Sequence, residues 1–255
     1  MNLDLLSQIE GIAGQAGDLI LQVYGAEFAV RDKADASPVT EADERAEALI
    51  VAALQALTPG VPIVAEEAAA QGKVQPPGDR FWLVDPLDGT REFVSRNGEF
   101  TVNIALIEAG QPVLGVVLEP VASRLYAGVV GQGAWVQDRS GRRAMACRKL
   151  APATEAGWVL ACSRSHGDEA ALTTWLAGRP VARRIAIGSS LKFGLIASGQ
   201  ADVYPRFGRT MEWDTAAGHA VLRAAGGSVT DLQGQPLRYG KPGFENPHFV
   251  AWGQR

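Results

Sequence analysis

The chain contains very little cysteine and histidine, with 2 Cys and 3 His among 255 residues. Cys147 and Cys162 belong to no CxxC pair and to no cysteine–histidine cluster. This pattern argues against a disulfide framework and against a zinc site. Because unpaired cysteines are typical of reducing compartments, we expect a cytoplasmic protein.

Long apolar runs are also missing from the sequence. No stretch approaches the roughly 18 apolar residues that a membrane-spanning helix needs. The start of the chain, Met1–Asp4, has no basic region followed by an apolar run, as a secretory signal would have. We therefore expect no stable membrane insertion. A peripheral position at the inner membrane face stays open, although the polar face of the first predicted helix is not basic.

The chain has no excess of positive charge, because its formal net charge is -4. General nucleic-acid-binding proteins are normally basic, so we expect no nucleic-acid partner. A phosphorylated small molecule is not excluded, since bound metal ions could supply the positive charge. Apolar residues make up 47% of the 255 residues, which predicts one large domain or two tightly joined halves with an ordinary core.

The most informative stretch is Phe81–Thr90, in which four apolar residues are followed by two nearby acids. The apolar residues predict a short buried strand. Pro86 stiffens the backbone and favours an extended conformation at Asp85. Asp85 and Asp88 on a stiff loop would suit Mg²⁺, which prefers oxygen ligands. A simple Asp-rich turn is the alternative, since Asp, Pro and Gly all favour turns.

The segment Asp85–Thr90, Asp-Pro-Leu-Asp-Gly-Thr, resembles the signature of the inositol monophosphatase superfamily, the Mg²⁺-dependent, lithium-sensitive phosphatases. Residues 91–93 and 96–105 continue it in a way that is similar to the CysQ-type 3'(2'),5'-bisphosphate nucleotidases. The resemblance extends over nearly the whole chain. It implies a mixed α+β and α/β fold, a layered αβαβα sandwich of the inositol monophosphatase and fructose-1,6-bisphosphatase type.

Thr40 and Asp43 precede an amphipathic segment with the spacing of a capping box. From the residues alone, Asp43 is a helix-capping acid that also suits the positive end of the helix dipole. The resemblance implies a second role, in which Asp43 pairs with Thr90 to activate the attacking water. One side chain can fill both roles.

Two further acids stand at boundaries between predicted elements. Glu66 follows a predicted strand, where acids are usually solvated, and Asp214 opens a predicted helix, which it could simply cap. The resemblance implies that both bind Mg²⁺ together with Asp85, Asp88 and the carbonyl of Leu87. It implies two ions, with a third left open. Acids gathered in this way would repel one another without metal.

The segment Gly188-Ser189-Ser190 lies between a predicted strand and a predicted helix, with Lys192 one turn further on. Free N–H groups at a helix start favour a phosphate. Ordinary serine capping with a solvated lysine is the alternative. The resemblance implies that these four residues bind substrate.

The resemblance adds further substrate-binding residues from other parts of the chain. Ser163 and His166 match a segment that lines the nucleotide pocket in CysQ-type enzymes. A single loop histidine has no specific role by itself. Gly89, Thr90 and Asp214 complete the predicted substrate contacts.

Residues 1–150 predict two helices on a large, mostly antiparallel sheet, because short strands are joined by short loops. Residues 151–255 alternate strands and helices, which indicates an α/β layer. Residues 68–79 predict a flexible flap. With no obvious linker, we expect the halves 1–150 and 151–255 to form one compact unit with the site in the seam.

The resemblance implies hydrolysis of the 3'-phosphate of 3'-phosphoadenosine 5'-phosphate, a by-product of sulfate assimilation, to AMP and phosphate by direct attack of water. The alternative is an inositol monophosphatase or a sugar (bis)phosphate phosphatase with the same metal site. A non-catalytic nucleotide or metal sensor would not need the pair Asp43 and Thr90. The partner is thus a small phosphorylated nucleotide, and the sequence leaves monomer and homodimer open.

Overall fold

The structure, a computed structural model, describes residues 2–32, 38–74, 77–150, 157–164 and 168–255. The helices in these ranges are α1 (Asn2–Tyr24), α2 (Glu41–Leu57), α3 (Glu66–Ala70), α4 (Thr90–Val94), α5 (Glu169–Leu176), α6 (Leu191–Ala197), α7 (Glu212–Ala224) and a 3₁₀ turn at Pro242–Phe244. The strands are β1 (Val30–Asp32), β2 (Pro38–Thr40), β3 (Ile63–Ala65), β4 (Arg80–Asp88), β5 (Thr101–Glu108), β6 (Gln111–Glu119), β7 (Arg124–Val129), β8 (Gly133–Asp138), β9 (Gly141–Met145), β10 (Trp158–Ser163), β11 (Val181–Ile187), β12 (Val203–Arg206), β13 (Ser228–Asp231) and β14 (Phe249–Trp252). None of the helices described is long and apolar enough to cross a membrane.

The larger sheet has seven strands in the order β3-β4-β5-β6-β7-β8-β9. β3 and β4 run parallel, and the later neighbours pair antiparallel, as the short connecting loops predicted. Strands β1 and β2 form a separate antiparallel pair. The sequence analysis identified neither this pair nor β9.

The smaller sheet has five strands in the order β11-β10-β12-β14-β13. β10 pairs parallel with β11 and β12, while β14 pairs antiparallel with β12 and β13. The parallel pairs of β10 with β11 and β12 thus come from the region in which strands and helices alternate along the chain. The division at residue 150, which falls between the two sheets, stays a prediction.

The helices and sheets stack in five layers. α1 and α2 cover one face of the larger sheet, where Ile9 and Ile50 share a core with Trp82 and Ile104. α6 and α7 fill the space between the sheets, and α5 covers the outer face of the smaller sheet. This is the αβαβα sandwich that the sequence predicted.

Helix α7 lies against the larger sheet and against α6 through glycines. A Cβ added at Gly115 of β6 would lie 2.5 Å from the Ala217 carbonyl oxygen. A Cβ added at Gly218 would lie 2.4 Å from Phe193 of α6. Because real Cβ atoms do not approach so closely, the absence of side chains at these positions lets the middle layer pack tightly.

Two local predictions were wrong. The acids after residue 84 were expected on a loop, but β4 continues through Asp88. The stretch 68–79 was expected to be a flexible flap; this is wrong for residues 68–70, which belong to helix α3, and stays a prediction for residues 71–74 and 77–79. Residues 75–76 of that stretch lie outside the described part of the chain.

Candidate active site

The end of β4 carries two of the predicted acids. Asp85 is in register with Asn103 of β5 and Asp88 with Thr101, and the register is irregular between them. Gly89 follows with φ 93° and ψ 43°, a left-handed conformation that glycine adopts at little cost. Helix α4 then begins at Thr90.

Asp43 caps its own helix and contacts Thr90 at the same time. Its Oδ2 accepts hydrogen bonds from the Thr40 backbone N–H at 2.8 Å and from Thr40 Oγ1 at 2.7 Å. Its Oδ1 accepts one from Thr90 Oγ1 at 3.2 Å. Asp43 is only 1% exposed, so both contacts lie in a buried setting. The capping role is confirmed, and the geometry allows the second role too.

Glu66 reaches the same region from the neighbouring strand. β3 runs parallel to β4, with Ala65 in register with Val84. The next residue of each strand is therefore an acid, Glu66 beside Asp85. Because the carboxyl ends of parallel strands meet at one edge of a sheet, strand pairing brings these two carboxylates together.

Asp214 comes from helix α7 in the second half of the chain. Its Oδ2 accepts a hydrogen bond from the Met211 backbone N–H at 2.8 Å, so this acid also caps its own helix. Ser190 links it to β4, because Ser190 Oγ lies 2.7 Å from Asp88 Oδ2 and 3.1 Å from the Asp214 carbonyl oxygen. Asn103 Nδ2 donates to Ser190 Oγ at 2.7 Å. These contacts join both halves of the chain at the site.

Glu212 anchors the beginning of α7. It is fully buried and accepts hydrogen bonds from the backbone N–H groups of Gly240 at 2.7 Å and Lys241 at 2.9 Å. Lys241 Nζ also donates to it at 2.6 Å. The loop after β13 is thereby tied to the helix that carries Asp214.

The acids raise one another's pKa. Burial raises the pKa of Asp85 well above its ordinary value, and the charges of Glu66, Asp88 and Asp214 raise it further. Burial and neighbouring acids likewise raise the pKa of Asp214 well above its ordinary value. The pKa of Asp88 is raised by burial, although the Ser190 hydroxyl and the Lys192 charge oppose the rise. A cation among these groups would relieve the repulsion.

The donor set has the chemistry of a hard-cation site, since every candidate ligand is an oxygen. Within the described residues, however, no three His, Cys, Asp or Glu side chains are already arranged to hold a metal ion. The carboxylates make other contacts instead. Asp85 Oδ1 accepts the Leu87 N–H at 3.1 Å, Asp88 accepts from Ser190, and Asp214 caps α7. A divalent cation fits the chemistry of this donor set.

Basic residues line the same cavity, which has a volume of about 250 Å³. Its lining includes Lys192, Arg206 and Arg209 alongside Glu66 and Asp88. Lys192 is 4% exposed and donates to the Ile187 carbonyl oxygen at 3.1 Å. Burial lowers the pKa of Lys192 to about 8. The cavity therefore offers an acidic and a basic environment to one ligand.

Comparison with known proteins places the chain in a family. A model described as the inositol monophosphatase family matches residues 2–252. The chain is 48% identical over 248 residues to the 3'(2'),5'-bisphosphate nucleotidase CysQ of Escherichia coli K12, covering 96% of this chain and 98% of the relative. It belongs to the inositol monophosphatase family.

Solved structures of family members agree with this assignment. CysQ from Bacteroides thetaiotaomicron superposes with a TM-score of 0.81 at 38% identity, covering 99% of this chain and 98% of that one. An inositol monophosphatase from Anabaena superposes with a TM-score of 0.79 at 25% identity, covering 100% and 92%. The shared fold is that of the inositol monophosphatase family.

Most residues that the family resemblance singled out meet at this site. The cavity is lined by Glu66, Asp88, Gly89, Thr90, Ser163, Ser189, Ser190, Lys192 and Asp214. Asp43, Asp85 and Leu87 are each 1% exposed. His166 lies outside the described residues.

The serine segment differs from the predicted anion site in one respect. The side chain of Ser190, the N-cap of α6, makes no capping hydrogen bond, because its hydroxyl bonds to Asp88 instead. Ser189 has φ 45°, and its Oγ is buried without a hydrogen-bond partner in the described structure. Ser189, rather than Ser190, therefore has the hydroxyl that makes no hydrogen bond in the described structure.

Sequence reasoning missed several residues of the site. Arg206 and Arg209 line the cavity, and only their position between strand β12 and helix α7 could have indicated them. Glu99, within the family-like stretch 96–105, received no role. Its Oε2 accepts the Gly188 N–H at 2.8 Å and Arg164 Nε at 3.0 Å. Glu99 thus holds two substrate-side segments against the larger sheet.

Proposed function

We propose that this protein is a Mg²⁺-dependent 3'(2'),5'-bisphosphate nucleotidase. It hydrolyses the 3'-phosphate of 3'-phosphoadenosine 5'-phosphate to AMP and phosphate. The observation that carries the proposal is one cavity lined by acids, by Thr90 in contact with Asp43, and by Lys192 and Arg206. The 48% identity to E. coli CysQ supports the same activity.

Glu66, Asp85, Asp88, Asp214 and the Leu87 carbonyl would hold the Mg²⁺, as two ions with a third left open. Bound there, Mg²⁺ neutralises phosphoryl charge and lowers the pKa of water. The raised pKa values of Asp85 and Asp214 support this role, since burial and the neighbouring carboxylates raise them and a cation among the acids would offset both effects.

Thr90 and Asp43 act on the attacking water. Thr90 Oγ1 donates its proton to Asp43 Oδ1 and keeps lone pairs that accept a hydrogen bond from water. As the water oxygen bonds to phosphorus, the bond from phosphorus to the ribose 3'-oxygen breaks. One water proton passes to Asp43 through Thr90, the other stays on the phosphate product, and the leaving ribose oxygen takes up a proton from solvent water. General-base assistance of this kind contributes about 10²–10⁴-fold.

The basic residues select a second anionic group on the substrate. Lys192 and Arg206 line the cavity that also contains the acids, so a molecule with two phosphates can satisfy both environments. Ser163 and Ser189 contribute polar groups to the cavity, the Ser189 hydroxyl being unpartnered in the described structure, whereas the Gly188 N–H donates to Glu99. An inositol monophosphate has no second phosphate and would leave the basic residues unused.

We further propose that residues 1–150 and 151–255 act as one compact unit in the cytoplasm, as a monomer or homodimer. Both halves contribute to the site, since Ser190 and Asp214 come from the second half and Asp88 from the first. Without either half, the cavity would lack part of its lining.

Phosphate release by the purified protein with Mg²⁺ tests the proposal. We would compare 3'-phosphoadenosine 5'-phosphate, inositol 1-phosphate and fructose 1,6-bisphosphate. We expect strong preference for the nucleotide, and loss of turnover with EDTA and in a folded Asp88→Asn variant. Preference for inositol phosphate or the sugar would refute the substrate assignment. Wild-type-like activity of Asp88→Asn would refute the metal assignment.

Binding without turnover is the result that a sensor would give. If calorimetry showed Mg²⁺ and nucleotide binding while none of the three compounds released phosphate, the enzymatic role would be refuted. A Lys192→Gln variant tests recognition of the second phosphate separately from hydrolysis at the acid site. It should weaken binding of the bisphosphate and leave hydrolysis of a monophosphate such as inositol 1-phosphate at its wild-type level.

A further inference from the structure

Helix α3, which begins with Glu66, has no N-cap of its own. The N-cap position is Ala65, whose side chain offers no hydrogen-bond acceptor. The helix is only five residues long, Glu66–Ala70. Isolated helices of this length are unstable in water, because nucleation is costly. The orientation of Glu66 therefore depends on groups outside the helix.

Glu47 of α2 supplies the missing cap from across the fold. Its Oε2 accepts the Glu67 backbone N–H at 2.7 Å, and its Oε1 accepts the Ala68 N–H at 2.9 Å. These are the N–H groups of the second and third helical positions, which a Ser or Asp side chain at the N-cap would normally satisfy. Glu47 is 8% exposed, so water competes little for these bonds.

The placement of Glu47 connects α2 to the acid site. Asp43, one turn earlier on the same face of α2, contacts Thr90. Glu47 then fixes the start of α3, where Glu66 is the first helical residue. One helix thereby sets the position of Asp43 directly and that of Glu66 through a backbone contact.

We propose that Glu47 is a positioning residue that orients Glu66 for Mg²⁺, an inference that rests on the proposed metal site. Glu47 fixes the helix start with two charge-assisted hydrogen bonds, which are stronger than neutral ones. The Glu47 carboxylate binds the backbone N–H groups of Glu67 and Ala68. The Glu66 side chain is thereby left to line the cavity.

The test replaces the carboxylate by an amide of the same shape. Glu47→Gln keeps one acceptor oxygen and turns an NH₂ group towards the second N–H, so one of the two bonds is lost. We expect the Mg²⁺ dissociation constant, measured by calorimetry without substrate, to rise about 10- to 100-fold, as is typical when a residue supporting a metal ligand is removed. The KM for substrate at saturating Mg²⁺ should stay unchanged.

Glu41→Gln is the matched control. Glu41 lies on the same helix but is exposed and pairs with Arg45 at 3.1 Å, four residues on. Its replacement should leave Mg²⁺ binding unchanged. If Glu47→Gln lowers the melting temperature but binds Mg²⁺ like the wild type, Glu47 is merely structural and the proposal is refuted.

A rescue variant separates positioning from other effects of Glu47. Ala65→Ser puts an N-cap acceptor next to the two N–H groups that Glu47 now satisfies; Ala65 has the extended backbone, φ -119° and ψ 148°, of an N-cap. In the Glu47→Gln background it should recover at least part of the Mg²⁺ affinity. Failure to recover any affinity would contradict the cap mechanism.

Two further arms keep the test informative. If Glu47→Gln does not fold, Glu47→Asp keeps the charge but shortens the reach, and its Mg²⁺ affinity should also fall; unchanged affinity would refute the proposal. If the wild-type protein binds Mg²⁺ but hydrolyses none of the three phosphate esters, the proposed function fails. The calorimetric comparison of Glu47→Gln with wild type still decides the role of Glu47.

Discussion

Replacing Asp85 by asparagine should stabilise the metal-free protein while destroying its activity. Asp85 is 1% exposed, and its pKa is raised well above the ordinary value by burial and by Glu66, Asp88 and Asp214. A single unit of pKa elevation corresponds to about 1.4 kcal/mol. Asparagine removes the charge and keeps an oxygen to accept the Leu87 N–H, now bonded at 3.1 Å.

The size and pH dependence of this effect follow from the raised pKa. At about 2–4 °C per kcal/mol for a chain of this size, the melting temperature should rise by at least about 3 °C at pH 7.5 in EDTA. Because the folded-state pKa of Asp85 is raised, its charge destabilises the fold only above the unfolded-state pKa. The rise in melting temperature caused by Asp85→Asn should be full above the folded-state pKa of Asp85 and vanish towards pH 4.

Differential scanning calorimetry with and without Mg²⁺ tests this prediction. With Mg²⁺ at about 100 times its dissociation constant, the wild type should gain about 2.7 kcal/mol, whereas the variant, which lacks one metal ligand, should gain less. Asp18→Asn, an exposed acid on α1, should change the melting temperature in neither condition. An unchanged or lower melting temperature of Asp85→Asn in EDTA at pH 7.5 would refute the reasoning about the acid cluster.

Three other contacts of the site and of its supporting loop can be tested in the same way. Thr90→Val removes the hydroxyl that contacts Asp43, so kcat should fall about 10²–10⁴-fold with little change in KM, measured by phosphate release. Since the pKa of Lys192 is lowered to about 8, the KM for substrate should rise above pH 8, where Lys192 loses its charge. The lowered pKa also means that the contribution of Lys192 to the free energy of unfolding increases from pH 8 upwards. Unfolding, monitored by circular dichroism, should therefore not explain the rise in KM. Glu212→Gln should cost about 2–3 kcal/mol in urea unfolding, because Lys241 loses a buried charged partner, whereas exposed Glu245→Gln should cost little.

The predictions that succeeded depended on local signals. The Thr40–Asp43 capping box and the strand at 81–84 are each determined by a few neighbouring residues. The layered fold and the acids were predicted from a resemblance along nearly the whole chain. Local chemistry and family pattern were therefore enough to name Asp43, Glu66 and Asp214 as neighbours in space.

The failures concern contacts between residues distant in the chain. The α3 helix was missed because its cap is Glu47, about twenty positions earlier in the chain. Residues 66–70 themselves contain no signal that indicates this cap. Arg206 joins the cavity only because β12 ends there. The bond from the Ser190 hydroxyl to Asp88, 102 positions away, was not predicted. Such partners depend on tertiary packing, which local patterns do not encode.

The close packing of α7 limits how the site can change during evolution. Backbone and ring atoms occupy the space where side chains at Gly115 and Gly218 would lie, on two sides of the helix that carries Asp214. That helix cannot slide or rotate without a clash. A substitution that moves Asp214 by moving the helix would therefore destabilise the fold. The Glu66 side is held differently, because a five-residue helix and the distant Glu47 carboxylate define its geometry, so a substitution there can shift one ligand without moving α7.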